Sequence, residues 1–137
     1  MLYAFTSITK SINILINYNK TINEKTDIEK AKVRLLNELS LIKKMSKELT
    51  LILYREQDKN ICDELYDGVN ALIYIAKNIT TIDQVKDTIN KLTEFDCLEE
   101  FNNMNLYRTD LCSPSFEMSN YDRYMGEEEL TTKECSQ

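Results

Sequence analysis

Two pairs of carboxylates have a spacing that could bind a metal ion. Asp63 and Asp67 are four residues apart in the third predicted helix, and Asp96 and Glu100 have the same spacing in the fourth. Residues four apart share one face of a helix. If the start of one helix lies beside the end of the other, the four carboxylates could hold Mg²⁺ against a substrate phosphate. This arrangement predicts, as an alternative function, a Mg²⁺-dependent all-helical nucleotide hydrolase.

We favour a simpler interpretation, in which these carboxylates form an acidic, solvated surface. Asp63 and Asp67 lie near the start of a predicted helix, where the helix dipole stabilises negative charge. The chain has no histidine, which excludes Ser-His-Asp and Cys-His catalysis and histidine-containing metal sites. A glycine-rich phosphate loop is also absent from the sequence. We therefore expect no catalytic residue, no cofactor and no metal ion.

The cysteines do not have the spacing of a zinc site. The chain contains Cys62, Cys97, Cys112 and Cys135, and no two of them form a CxxC pair. We expect Cys62 and Cys97 to be thiols that face the core, as buried cysteines usually do. The other two are expected in a looser C-terminal segment.

Three lysines and two tyrosines are candidate partner-binding residues. Lys43, Lys44 and Lys47 form a basic group on the second predicted helix, and Tyr121 and Tyr124 lie beside acidic residues near the C-terminus. The lysines could bind an anionic partner, and the tyrosines could form a docking or phosphorylation element. The competing interpretation is that the lysines form the solvated face of an amphipathic helix and that the tyrosines pack on an acidic tail.

Charge is distributed unevenly along the chain. Residues 1–60 carry 11 basic and 7 acidic residues, whereas residues 61–137 carry 6 and 16, which gives a net charge of −6 overall. A net acidic chain disfavours nucleic-acid binding, and the C-terminal tail could mask the basic face of the second helix. The sequence contains neither a membrane-spanning run nor a signal peptide, so we expect a cytoplasmic protein without membrane contacts.

The scarcity of helix breakers predicts long helices. The first 113 residues contain no proline and one glycine, Gly68. Apolar spacing predicts four main helices, with bounds near 3–19, 27–56, 61–79 and 82–105.

Local signals mark the ends of these helices. Thr26 and Thr81 each begin a capping box, closed by Glu29 and Gln84 respectively. Residues 57–60 form a polar break, in which Asp58 or Asn60 is the expected cap. The third helix should be the most buried, since residues 71–76 are apolar on every side, and Gly68 should mark a close approach between helices.

These observations predict an all-α protein, a small bundle of four to five helices. Residues 1–105 should form the bundle, and residues 106–137 an acidic, aromatic-containing, partly ordered tail. By elimination, and because two helices carry wide apolar stripes, we expect a non-catalytic protein–protein interaction module. It would be an adaptor, inhibitor or assembly subunit that binds another protein or itself. Besides the hydrolase, the other alternative is a viral or pathogen effector with a Bcl-2-like bundle, suggested by size, helicity and the abundance of Ile, Asn, Lys and Tyr.

Overall fold

The computed structural model describes residues 2–106 and contains five α-helices. Their bounds are α1 Leu2–Thr21, α2 Ile28–Ile52, α3 Glu56–Lys77, α4 Ile82–Thr93 and α5 Cys97–Leu106. The most extensive packing is between α2 and α3, followed by that between α1 and α2. No strand occurs in this range, so the predicted all-α bundle is confirmed. The predicted tail lies outside the described residues, apart from Leu106 at the end of α5.

The core runs along the inner faces of all five helices. Phe5 of α1 and Phe101 of α5 are fully buried, and their ring centroids lie 5.5 Å apart. The other largest fully buried side chains are Ile8, Leu15, Leu35, Leu39, Ile42, Met45, Leu49, Leu65 and Ile89. None of the helices within residues 2–106 combines the length and apolar character needed to cross a membrane.

The start of α2 differs from the prediction by one residue, and the capping box is wrong. Asp27 is the N-cap, and its Oδ1 accepts a hydrogen bond of 2.9 Å from the Glu29 backbone N–H. Thr26 Oγ1 instead accepts from the Asn23 N–H at 3.0 Å. Aspartate and threonine are both good N-caps, and here Asp27 takes that position. The Thr26 side chain is therefore left to close the turn that precedes α2.

The break between α2 and α3 also lies earlier than predicted. α2 ends at Ile52 rather than near residue 56, and the next residues that are not helical are Leu53, Tyr54 and Arg55. Residues 57–60 belong to α3, so neither Asp58 nor Asn60 is its cap. The N-cap is Arg55, which makes no side-chain capping hydrogen bond. Asp58 lies in the first turn, where negative charge is favourable, and its Oδ2 is 3.0 Å from Arg55 Nε.

The second predicted capping box is confirmed at the start of α4. The Thr81 side chain accepts from the Gln84 N–H at 3.2 Å, and Gln84 Oε1 accepts from the Thr81 N–H at 3.1 Å. Both partners satisfy backbone donors that the first helical turn would otherwise leave unpaired. This cap fixes the entry of the chain into α4.

The predicted fourth helix is two helices, because the chain bends at residues 94–96. On one continuous helix Leu92 and Phe101, nine residues apart, would point in opposite directions. The bend lets both side chains be buried, and it turns Phe95 toward α3. A Cβ atom at Gly68 would lie 2.7 Å from Phe95 Cε2. Gly68 thus marks a close approach, as predicted. The group that approaches it is the ring of Phe95, which lies between α4 and α5, and not another helix.

Candidate interaction surfaces

The four carboxylates of the hydrolase alternative are all exposed. Asp63 and Asp67 lie on α3, Asp96 precedes α5, and Glu100 lies within α5. Among the described residues, no three acidic or cysteine side chains are arranged so that they could hold a metal ion. The structure therefore does not bring these four carboxylates together as a metal site.

Cys62 and Cys97 are both buried, as predicted, and both are free thiols. Burial raises the pKa of Cys62 to about 12, with a further contribution from the negative charge of Asp63. Burial likewise raises the pKa of Cys97 to about 12, and nearby Glu64 adds to the effect. A thiol is nucleophilic only as a thiolate. These two cysteines therefore act as small apolar residues of the core at neutral pH.

The basic group on α2 contacts a tyrosine of α3. Lys43 Nζ and Lys47 Nζ each lie 5.7 Å from the centroid of the Tyr66 ring, within the range of a cation–π contact. Tyr66 is half-buried, whereas Lys44 and Lys47 are exposed. Two of the three lysines predicted to bind a partner therefore also hold the α2–α3 hairpin together. Tyr121 and Tyr124, the other candidate binding residues, lie outside the described part of the chain.

The outward face of α3 carries an apolar patch that the sequence interpretation missed. Tyr74 is 73% exposed and Ile75 is 41% exposed, and Ala71 beside them is also exposed. The spacing of these three residues places them on one helix face. We call them the α3 patch. The prediction that the third helix is the most buried rests on the apolar run 71–76, and this run is only half buried. Within it Leu72, Ile73 and Ala76 are buried, and the other three residues are exposed.

The α3 patch continues into an acidic stretch toward the start of the helix. Asp63, Glu64 and Asp67 are exposed, and Asp67 lies seven residues before Tyr74, about two helical turns away. At the other end, exposed Lys77 lies in the last turn. The outward face of α3 therefore changes from acidic to apolar to basic along its length.

The remaining exposed large apolar residues are separate from the α3 patch. Val33 on α2 is 55% exposed, Leu51 and Tyr54 at the α2–α3 turn are 66% and 54% exposed, and Leu106 is 73% exposed. Single exposed apolar residues are normal on protein surfaces. The α3 patch differs because it joins two such residues, Tyr74 and Ile75, with exposed Ala71 on one helix face.

A groove lies between α1 and the segment that contains the start of α5. Its volume is about 580 Å³, a size typical of sites for small molecules or peptide segments. The amide nitrogen of Asn105 donates to Thr9 Oγ1 at 3.4 Å and links α5 to α1. We call this cleft the α1–α5 groove.

No protein-family model, no curated protein and no solved structure matches the chain. The described surfaces therefore carry the functional argument.

Proposed function

We propose that this protein is a non-catalytic interaction module whose α3 patch binds a second copy of the chain. The observation that carries the proposal is the 73% exposure of Tyr74 on the same helix face as Ala71 and Ile75. Tyrosine is enriched at the energetic centres of protein interfaces. A continuous exposed apolar patch on a packed bundle is a surface that association would remove from water.

The charges that flank the patch favour an antiparallel pair of α3 helices. Most homodimers have two-fold symmetry, so that the same patch contacts itself. Asp67 lies about six residues before the middle of the α3 patch, and Lys77 lies about four residues after it, at about 1.5 Å per residue. In an antiparallel pair centred on the patch, Asp67 of one copy lies within about 4 Å of Lys77 of the other along the helix axis, a distance that a lysine side chain can span. A parallel pair would instead place the two acidic stretches side by side, which like charges disfavour.

We also propose a cytoplasmic location for this module. Cys62 and Cys97 lie in the core with no disulfide bond among the described residues, and unpaired cysteines are the rule in the cytosol. Neither thiol belongs to the α3 patch. We therefore assign them to packing, not to the binding function.

Sedimentation velocity of the full chain over a concentration series tests the proposal. We expect the wild type to show a reversible monomer–dimer equilibrium between about 5 and 500 µM, which corresponds to association free energies of about −7 to −4.5 kcal/mol. Tyr74→Lys should shift the chain to monomer, because a charge replaces the exposed aromatic side chain. Val33→Lys is the matched control, since it places the same charge at an exposed apolar residue away from α3. Dimerisation of the control should be unchanged.

A charge swap tests the antiparallel orientation separately. Asp67→Lys and Lys77→Asp should each weaken the dimer, since each replaces attraction with repulsion, and the double variant should restore it. A chain that stays monomeric at every concentration overturns self-association through this patch. An equal loss of dimer in Tyr74→Lys and Val33→Lys would show that association does not use α3.

A further inference from the structure

The α1–α5 groove has an apolar floor and a polar rim. Ile12 and Ile16 of α1 face Leu98 of α5 and Phe95 of the preceding bend across the floor. The rim carries three amides, from Asn13 on α1 and from Asn102 and Asn103 on α5. These three asparagines are exposed.

Two carboxylates set the charge of the groove. Asp96 and Glu99 line it and are exposed, and no basic residue is among its lining residues. A carboxylate attracts Lys or Arg and repels Asp or Glu. The groove is therefore complementary to a cationic occupant that also carries apolar side chains.

We propose that the α1–α5 groove binds an extended, basic segment of a partner protein. An asparagine side chain has both a donor and an acceptor, so amides from two helices can pair with the N–H and C=O groups of an extended backbone. Such a backbone directs alternate side chains to opposite sides. Apolar side chains would then fill the floor, and Lys or Arg side chains would reach the two carboxylates at the edge.

Charge also distinguishes this occupant from the protein's own C-terminal segment. Residues 107–137 follow α5 directly and contain 7 acidic and 3 basic residues. Although the segment begins only a few residues after Asn103, its net charge of −4 is of the same sign as that of Asp96 and Glu99. We therefore assign the groove to a partner.

Gly68 makes room for Phe95, one of the residues of the groove floor. The Phe95 ring occupies the space that a Cβ atom at residue 68 would need, so an alanine at this position would displace the ring. The position of this floor residue therefore depends on a glycine that lies outside the groove.

Fluorescence anisotropy with the full chain tests the proposal. The probe is a labelled eight-residue peptide of alternating lysine and leucine, and its counterpart replaces every lysine with glutamate. At about 0.15 M salt the Debye length is about 8 Å, so distant charges contribute little. We expect the lysine peptide to bind and the glutamate peptide not to bind.

Matched asparagine variants locate the binding. Asn13→Arg places a cation in the groove, whereas Asn17→Arg places the same charge one turn away at an exposed asparagine outside the lining residues. We expect Asn13→Arg to weaken lysine-peptide binding at least about tenfold, the loss that corresponds to one unfavourable charge contact of about 1.4 kcal/mol. Asn17→Arg should change it less than about twofold, as expected for an exposed charge outside the site.

NMR chemical shifts of the labelled full chain supply the second readout. Peptide-induced shifts confined to residues 9–16 and 93–103 support the groove. Shifts at the α3 patch, equal effects of the two arginine variants, or equal binding of the glutamate peptide would each overturn the proposal, whereas a shift at Gly68, which contacts Phe95, is expected. Tyr74 does not line the groove, so Tyr74→Lys should still bind the lysine peptide. This variant therefore separates failure of the groove proposal from failure of the proposed α3 dimer.

Discussion

Tyr66 and Tyr74 lie eight residues apart on α3, and their surroundings differ sharply. Tyr66 is half-buried, and the ammonium groups of Lys43 and Lys47 each lie 5.7 Å from its ring. Tyr74 is 73% exposed and lies beside two other exposed apolar residues. One tyrosine therefore packs between α2 and α3, and the other presents an aromatic ring at the surface, where we propose that a second copy binds.

This difference teaches that charge clusters and apolar runs in a sequence do not by themselves reveal which side chains pack within the protein. The lysines on α2 resemble an anion-binding surface in sequence, and two of them also contact Tyr66. The apolar run at residues 71–76 resembles a buried segment, yet part of it is exposed. Four predictions test or refine the contrast, in order of decreasing effect.

The two sides of α3 should differ most in their contribution to stability. Leu72 is 3% exposed, so Leu72→Ala should lower the free energy of unfolding by about 3 kcal/mol through lost burial and a cavity. Tyr74→Ala should change it by less than about 0.5 kcal/mol, as surface substitutions usually do. Urea unfolding at low protein concentration, followed by circular dichroism, measures both. A cost of several kcal/mol for Tyr74→Ala would mean that this side chain is covered within the monomer.

Gly68 and Phe95 should be strongly coupled. In the wild type, Gly68→Ala should lower stability by about 1 kcal/mol, because displacing the Phe95 ring outweighs the better helix propensity of alanine. In a Phe95→Ala background the same change should raise stability by about 1 kcal/mol, because only the propensity gain remains. The double-mutant cycle gives the coupling. Equal effects in both backgrounds would contradict the contact.

Removal of the Tyr66 ring should weaken the hairpin modestly. Tyr66→Leu keeps an apolar side chain but loses the cation–π contacts with two lysines, so stability should fall by about 1 kcal/mol. Tyr66→Phe keeps the ring and should be nearly neutral, and Tyr74→Leu is the control on the outward face. Thermal unfolding compares the three variants. If Tyr66→Phe costs as much as Tyr66→Leu, the hydroxyl rather than the ring is responsible.

The buried thiol of Cys62, on the inner face of α3, should make stability fall at high pH. The pKa of Cys62 is raised from 9.0 to about 12 in the folded protein, so the folded state favours the neutral thiol. This contribution is fully present below pH 9 and is lost as pH rises toward 12. Between pH 8 and 10 the loss due to Cys62 should be about 1 kcal/mol, and Cys62→Ala should lose correspondingly less over this interval. An identical pH dependence in both proteins would contradict the burial of the thiol.

Much of the fold could be predicted because its signals are local. The capping residues Thr81 and Gln84 are three residues apart and need no tertiary partner. Helix ends were misplaced where two local solutions compete, as for Thr26 and Asp27, or where tertiary packing decides. Tertiary packing decides the bend before α5, because the bend allows both Leu92 and Phe101 to be buried. The spacing of apolar residues within one segment does not show that these two side chains must face the same core.

The proposed binding surfaces were less predictable, because exposure depends on which neighbours pack on a helix. Tyr74 and Ile75 are as apolar as the buried residues beside them. A signal was nevertheless present, since Ala71, Tyr74 and Ile75 do not lie on the line of Leu65, Val69, Leu72 and Ala76 that forms the buried stripe. The groove had no such signal, because its two walls are about 80 residues apart in sequence.

Photo-crosslinking at residue 74 tests most directly whether Tyr74 contacts a second copy. The full chain would carry p-benzoyl-phenylalanine in place of Tyr74, with the same replacement at Val33 as the control. We predict a covalent dimer on irradiation of the residue 74 protein, with the crosslink mapped by mass spectrometry to α3 of the other copy, and little dimer from the control. Absence of a dimer, equal yields at both positions, or a crosslink confined to one chain would contradict the account.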